Sequence, residues 1–362
     1  MIVRAPGRIN LIGEHTDYNN GFVMPAAIDK HFLFAVAANN TNQFNIQAVD
    51  LHETISFSLD ELKAGHHWSN YLMGVIDGMA RRGKKIEGVD VLFTSNIPAG
   101  AGLSSSAALC SGFGFALNEL FRYNLSRLEL ALIAQESEHR FVGAQVGIMD
   151  MYASLFSRTG SVMLLDCRSY THEYLPFQFG NFELLLVDTK VKHSLASSAY
   201  NNRRQACEEG VKIIKQNRPE VQSLRDVDET VLQIFKPSMT EEVFRRCNYV
   251  VKEIDRTRQA AHHLKKNDLT AVGKLMYETH RGLSSEYEVS CPESDWVVTT
   301  ARETGVTGAR QMGGGFGGCV LCLLSISVKN IFIEKVKAKY FAQFEKEPDF
   351  YSIELSEGVA LV

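Results

Sequence analysis

Apolar positions along the chain recur with two different periods. Val89-Asp90-Val91-Leu92-Phe93 predicts a strand, and Ser105 to Tyr123 follows with Leu109, Phe113, Phe115, Ala116 and Leu120 at helical spacing. A strand therefore feeds a Gly/Ser turn, which feeds a helix. Ser126 is placed to cap a second helix over Arg127 to His139, while Gly160 to Asp166 and Phe182 to Val187 read as strands. From about residue 200 the pattern becomes mainly helical: Asn201 to Gln216, Thr240 to Lys265, Leu269 to Leu283 and Glu293 to Glu303 are amphipathic. A glycine-rich turn, a strand at Cys319 to Leu324, a helix near Ile331 to Phe344 and a strand at Tyr351 to Leu355 complete the chain. Mixed helices and strands in two halves predict an α+β protein with domains 1–180 and 181–362.

Composition narrows the class. At about 150 residues per domain, 362 residues suggest two domains, and 45 % apolar with 22 % charged residues excludes disorder as the main theme. Setting 38 Lys and Arg against 42 Asp and Glu leaves a net charge of −4, so no basic field exists to hold nucleic acid or an anionic membrane. A small-molecule partner is expected, with no nucleic acid and no membrane. No run of about 18 apolar residues occurs, and Met1 to Arg8 lacks the layout of a signal peptide, which makes the cytoplasm the expected compartment. Seven Cys, an odd number scattered through apolar sequence, read as reduced thiols. Cys319 and Cys322 form a C-x-x-C, but the leucines and valine around them favour a buried strand over a redox or metal motif.

Three segments are rich in Gly, Ser and turn residues. In Pro98 to Ala108, between strand and helix, Gly100 and Gly102 lack Cβ atoms, so backbone N–H groups can approach an anion at the helix N-terminus. Ser104, Ser105 and Ser106 add hydroxyl donors and a possible Mg²⁺ ligand, whereas helix capping alone needs one hydroxyl. No G-x-x-x-x-G-K-[ST] occurs, so this is not a Walker A loop. Gly313 to Gly318 formally satisfies G-x-G-x-x-G but leads into a strand, which rejects a dinucleotide fold and leaves open a ligand contact or a tight structural turn. Arg8 to Gly21 gathers Arg, Glu, His, Asp and Asn, a mixture suited to several vicinal hydroxyls, with a solvated surface loop as the alternative. Asp150 is a lone carboxylate in an apolar run. It needs a cationic partner, or it is a proton acceptor with a task, and the residues leave both open.

Gly7-Arg8-Ile9-Asn10-Leu11-Ile12-Gly13-Glu14-His15-Thr16-Asp17-Tyr18-Asn19 resembles the galactokinase signature. Gly102 to Ala107 resembles the phosphate loop of the wider small-molecule kinase superfamily that also holds homoserine, mevalonate and phosphomevalonate kinases, and Gly314 to Gly318 resembles its third glycine motif. The likeness extends to Val191 to Tyr200 and Tyr287 to Glu293. It implies an N-terminal domain like the second domain of ribosomal protein S5, a C-terminal ferredoxin-like domain, and an active site in the cleft between them. It also implies transfer of the γ-phosphoryl of Mg·ATP to the C1 hydroxyl of α-D-galactose; a monomer is expected. On that likeness Asp150 is the catalytic aspartate and Arg8 the arginine beside it. Glu14, His15, Asp17, Gly147 and Tyr200 fall at sugar-contacting positions, and Ser106 and Glu138 at Mg²⁺ positions. Gly100, Gly102, Leu103, Ser104, Ser105 and Ser106 would hold ATP phosphates. Trp68 falls near the adenine pocket, with core packing as the alternative.

The resemblance departs from the family pattern in three places. The sequence starts only a few residues before the first motif, so the helical extension common ahead of it is expected to be absent; Met151 stands where Gln is common, and Gln311-Met312 replaces Met-Thr, with loss of a hydroxyl near the nucleotide cleft. None of these removes a group the chemistry needs. Two competing readings are a galactose- and ATP-binding sensor without turnover, and a kinase for N-acetylgalactosamine, arabinose or another sugar.

Overall fold

The computed structural model describes residues 1–65, 67–191 and 196–362, without the side chains of residues 196–198. Its first half runs β1 (Ile2–Asn10), β2 (Phe22–Val23), β3 (Pro25–Ala38), β4 (Gln43–Ala48), β5 (Glu53–Ser58), α1 (Ser69–Ala80), β6 (Val89–Ser95), α2 (Ser105–Phe121), α3 (Arg127–Ser137) and α4 (Met149–Phe156). Then come β7 (Ser161–Asp166), β8 (Thr171–Pro176), β9 (Phe182–Asp188), α5 (Ala196–Lys215), α6 (Glu229–Phe235), α7 (Glu241–Lys265), α8 (Leu269–Ser285) and α9 (Pro292–Glu303). β10 (Gly308–Gln311), β11 (Cys319–Ser325), α10 (Ile326–Phe344), β12 (Asp349–Ile353) and β13 (Ala360–Leu361) end it.

A six-stranded sheet, β13-β1-β3-β6-β4-β5, backs the first half, and its apolar face packs on α2. That helix is buried along most of its length because Ala, Gly and Ser alternate with Leu and Phe, giving it no continuous polar face. Gly112 lets it approach closely: a Cβ there would lie 2.5 Å from both Ala5 and Phe34. α3 begins where expected, capped by Ser126, whose hydroxyl accepts from the Glu129 N–H while the Glu129 carboxylate accepts from the Ser126 N–H. It ends earlier than the periodicity predicts. The chain continues as one π turn over Glu138–Val142, closed by Gly143 at φ +81°.

The second sheet, β10-β11-β9-β12, is antiparallel throughout. With α9 and α10 it runs strand, helix, strand, strand, helix, strand in the order of a ferredoxin-like fold, and α5 to α8 are inserted after the first strand. The expected α+β class with an N-terminal and a ferredoxin-like C-terminal part is what the structure has. A division between residues 180 and 181 falls in the turn before β9, and the chain afterwards crosses back: β13 pairs with β1, and Asp29 exchanges hydrogen bonds with Glu354. Cys319 and Cys322 lie buried in β11, and all seven cysteines are free thiols. Met312, where a hydroxyl is missing from the family pattern, is fully buried in the apolar core. No described helix is long and apolar enough to cross a membrane.

Candidate active site

The site begins at a fault in β1. The β1–β3 register shifts between Pro6 and Arg8, and Gly7 lies so near the Leu103 carbonyl that a Cβ would sit 2.8 Å from it. Just past this point the Arg8 N–H donates to the Leu103 carbonyl at 3.1 Å, and its Nη1 donates to the Gly102 carbonyl at 2.8 Å. Nε and Nη2 of Arg8 donate to Oδ1 and Oδ2 of Asp150 at 2.7 and 3.0 Å. Asp150 stands in the first turn of α4, where the helix dipole favours a carboxylate. Ser104 Oγ donates to Asp150 Oδ2 at 2.6 Å. This hydroxyl is turned away from the helix it precedes because Ser104 holds φ +56°, a costly conformation for a residue with a Cβ. Among the described residues, three of the four lone-pair positions on Asp150 are taken, and the open one is on Oδ1. Burial opposes the charge on Arg8, but Asp150 and Glu14 outweigh it and raise the guanidinium pKa.

A cavity of about 370 Å³ opens beside this pair, lined by Arg8, Glu14, His15, Asp17, Gly147, Asp150 and Tyr200. All the sequence candidates for sugar contact therefore meet there. Glu14 Oε1 accepts from Arg310 Nη2 and from the Gly313 N–H, both at 2.9 Å. His15 holds φ +63°, and its Nδ1 shares a 2.8 Å hydrogen bond with the Tyr18 hydroxyl. Burial, with the Arg203 charge behind it, depresses the imidazole to about 3, so His15 is neutral and offers one donor and one acceptor. Burial and the nearby Asp150 charge push Asp17 up to about 7. Gly147 has no room for a side chain, since a Cβ would fall 1.8 Å from Asp17 Oδ2. Tyr200 closes an aromatic wall with His15 and Tyr18, the ring centroids being 5.3 and 5.5 Å away. Residues 192–195 of the matching stretch before Tyr200 lie outside the described residues.

Two further cavities continue from the first. One of about 230 Å³ is lined by Arg8, Gly100, Gly102, Leu103, Ser104, Ser105, Ser106, Asp150, Gly313 and Gly314, so the first and third glycine segments face each other across it. Gly100 and Gly102 hold φ +75° and +74°, which only glycine adopts freely, and the first N–H groups of α2 have no intrahelical acceptor. The other, about 290 Å³, is lined by Phe32, Leu51, Trp68, Phe93 and Leu109, with Ser105 and Ser106 at the shared end. Trp68 is thus a cavity wall. Its indole N–H donates to Glu53 Oε2 at 2.6 Å, and its ring meets Phe93 edge-on at 5.4 Å.

The three serines are divided in their tasks. Ser104 serves Asp150, Ser105 lines the cavities, and Ser106 stands beside Glu138 at the start of the π turn. Burial, reinforced by the Asp150 charge, pushes Glu138 up to about 7 against the opposing influence of Ser106 and Arg8. Ser106 lines the loop cavity, and with the buried Glu138 carboxylate beside it offers a donor set that fits a hard divalent cation, which would relieve the carboxylate's desolvation and take its remaining ligands from phosphate and water. No group of three metal-binding side chains is present among the described residues, and two protein ligands match the usual economy of Mg²⁺ sites.

The sequence reading missed Arg310, Tyr71 and Asn201. Arg310 could have been found: it is a charged residue in the four-residue strand Gly308–Gln311, buried throughout and abutting the glycine run. Tyr71 and Asn201 carry no local signal and reach the cavity only through tertiary packing.

An acid–arginine pair beside a glycine-and-serine loop, on an S5-like and ferredoxin-like pair of domains, defines a small-molecule kinase of the GHMP class. The family models agree: GHMP kinases N terminal domain over residues 70–158, GHMP kinases C terminal over 260–342, and galactokinase galactose-binding signature over 1–38. The chain belongs to the galactokinase family. It is 39 % identical to the galactokinase of Roseiflexus sp. (strain RS-1), over all of this chain and 93 % of that protein. It is 38 % identical to that of Thermosipho africanus (strain TCF52B), over the whole of both. The crystal structure of Lactococcus lactis galactokinase complexed with galactose superposes with a TM-score of 0.95 at 32 % identity, covering 100 % of this chain and 95 % of that one. A mevalonate kinase at 19 % identity and a TM-score of 0.68 shares the fold.

Proposed function

We propose that this kinase transfers the γ-phosphoryl of ATP to the C1 hydroxyl of α-D-galactose. The observation that carries the reading is the Asp150 centre between a hydroxyl-binding cavity and an anion loop. The acceptor hydroxyl lies against the open position on Asp150 Oδ1, which orients it and takes its proton as the phosphoryl arrives. Arg8, fixed by Asp150 and the Gly102 carbonyl, has no freedom to reorient, so its charge is ready for the transferring group before the reaction begins. Phosphoryl transfer is mostly positioning and electrostatics, and Arg8 supplies both.

Glu14, His15, Asp17 and Tyr200 hold the sugar hydroxyls. Gly100, Gly102, Leu103, Ser104 and Ser105 line the phosphate path, and Trp68 with Phe93 and Leu109 encloses the adenine. Ser106 and Glu138 would hold Mg²⁺, which neutralises phosphate charge when bound. Seven reduced thiols suit the cytoplasm. The intact serine loop and the Arg8–Asp150 pair favour turnover over a binding-only sensor.

The test is ADP release from Mg·ATP with galactose, N-acetylgalactosamine, arabinose, glucose and mevalonate, followed by NMR of the product. Turnover with galactose and a phosphorus–anomeric carbon coupling is expected. Binding of galactose without ADP release, or phosphorylation elsewhere than C1, contradicts the proposal.

A further inference from the structure

Arg310 is completely buried, although it carries a full charge and sits in the strand before the glycine run. Four of its five N–H donors are engaged. Nε donates to the Leu11 carbonyl at 2.8 Å, Nη1 to its neighbour Gln311's carbonyl at 2.9 Å, and Nη2 to the Asn10 carbonyl and to Glu14 Oε1, the last at 2.9 Å. The carbonyls of Asn10 and Leu11 end β1 and open the loop that carries Glu14, so Arg310 grips that loop from the C-terminal domain at its base and at its functional side chain together. Glu14 itself is 2 % exposed, and a carboxylate so far from water needs a partner charge. Arg310 is the only cation paired with it within 4.0 Å among the described residues.

We infer that Arg310 is a positioning residue for the sugar site, acting through Glu14. Among the described residues, both donors to the Glu14 carboxylate, Arg310 Nη2 and the Gly313 N–H, fall on Oε1. That occupancy fixes the carboxylate plane and reserves Oε2 as the acceptor for a sugar hydroxyl. The planar fork matters as much as the charge, because one guanidinium spans three carbonyls and a carboxylate in a way an ammonium cannot. Gly313 also lines both the sugar and the phosphate cavities, so the orientation of Glu14 and the position of the third glycine turn are set by one pair of hydrogen bonds.

The inference rests on Glu14 binding galactose, and the experiment separates the two. Wild type, Glu14→Gln, Arg310→Lys, Arg310→Gln and the Glu14→Gln/Arg310→Lys double variant are compared by melting, by calorimetry with galactose, and by steady-state kinetics. In Arg310→Lys and Arg310→Gln the galactose Kd and KM rise about tenfold or more, the loss expected for a charge-assisted hydrogen bond. The KM for ATP stays within about threefold, and Lys retains more affinity than Gln. Adding Arg310→Lys to Glu14→Gln weakens galactose binding little further, since the two act as one unit. Additive losses in the double variant, an unchanged galactose KM, or failure of both Arg310 variants to fold would make Arg310 a structural clamp only and overturn the inference. No galactose binding by the wild type would instead overturn the underlying function.

Discussion

Single residues in this site are constrained by their neighbours more than by their own chemistry. Gly147 shows the constraint most sharply, since its missing side chain is the space that Asp17 occupies. Gly147→Ala is predicted to displace the Asp17 carboxylate and raise the galactose KM about tenfold, with kcat changed far less, because the lost contact is to bound sugar and not to the transferring group. An unaltered KM in steady-state assays would remove Asp17 from the sugar contacts. His15 and Ser104 carry the same message through the backbone. Both hold left-handed φ values that cost free energy, and both are thereby aimed at a partner in or beside the cavity. The sequence marks both as candidates, but nothing in it announces their backbone conformation.

At the scale of elements, the alternation of strand, glycine turn and helix was legible because its physics is local. Val89 to Phe93, the loop from Pro98 and the helix from Ser105 announce themselves by periodicity and by Gly and Ser spacing. The π turn at Glu138 was not legible, since an extra residue in a helix leaves the apolar spacing nearly intact up to that point. Helix α4 was also missed: in the eight residues that carry Asp150, only that carboxylate and Ser154 interrupt an apolar run, which fits a buried strand as well as a helix. The division of labour among Ser104, Ser105 and Ser106 depends on Asp150 and Glu138, both far along the chain, and could not be read locally. Element packing in turn sets the loop. Gly112 brings α2 against Ala5 and Phe34, so Gly112→Ala should overpack that contact and cost about 1–3 kcal/mol, seen as a lower melting temperature. A variant as stable as wild type would show that the helix has slack at this crossing.

Across the whole molecule, the C-terminal domain finishes a site whose chemistry lies in the N-terminal one, through Arg310, Gly313 and the Glu253 carboxylate that accepts the Gly13 N–H at 2.9 Å. The cost of that enclosure is buried charge. Asp17 and Glu138 both rise to about 7, so each binds more protons in the folded than in the unfolded chain between its ordinary value and 7. Stability from this source is complete below about pH 4 and lost as pH rises through about 7, by roughly 3 kcal/mol for a group raised two to three units. His15, depressed to about 3, works oppositely between pH 3 and about 6.5, where its unfolded form would be charged. Above that range only the carboxyls remain. Glu138→Gln is therefore predicted to melt higher than wild type at pH 8, by about 2 °C or more, with the gain shrinking toward pH 5. No gain at pH 8 would mean that Glu138 carries no such penalty. The most direct measurement on the whole site is Asp150→Asn, assayed for ADP release and, in parallel, for galactose binding by calorimetry. A fall in kcat of about 10²–10⁴-fold with galactose affinity held within about tenfold is the predicted result. Near-normal turnover in a folded Asp150→Asn enzyme would contradict Asp150 as the proton acceptor and move the chemistry elsewhere in the cavity.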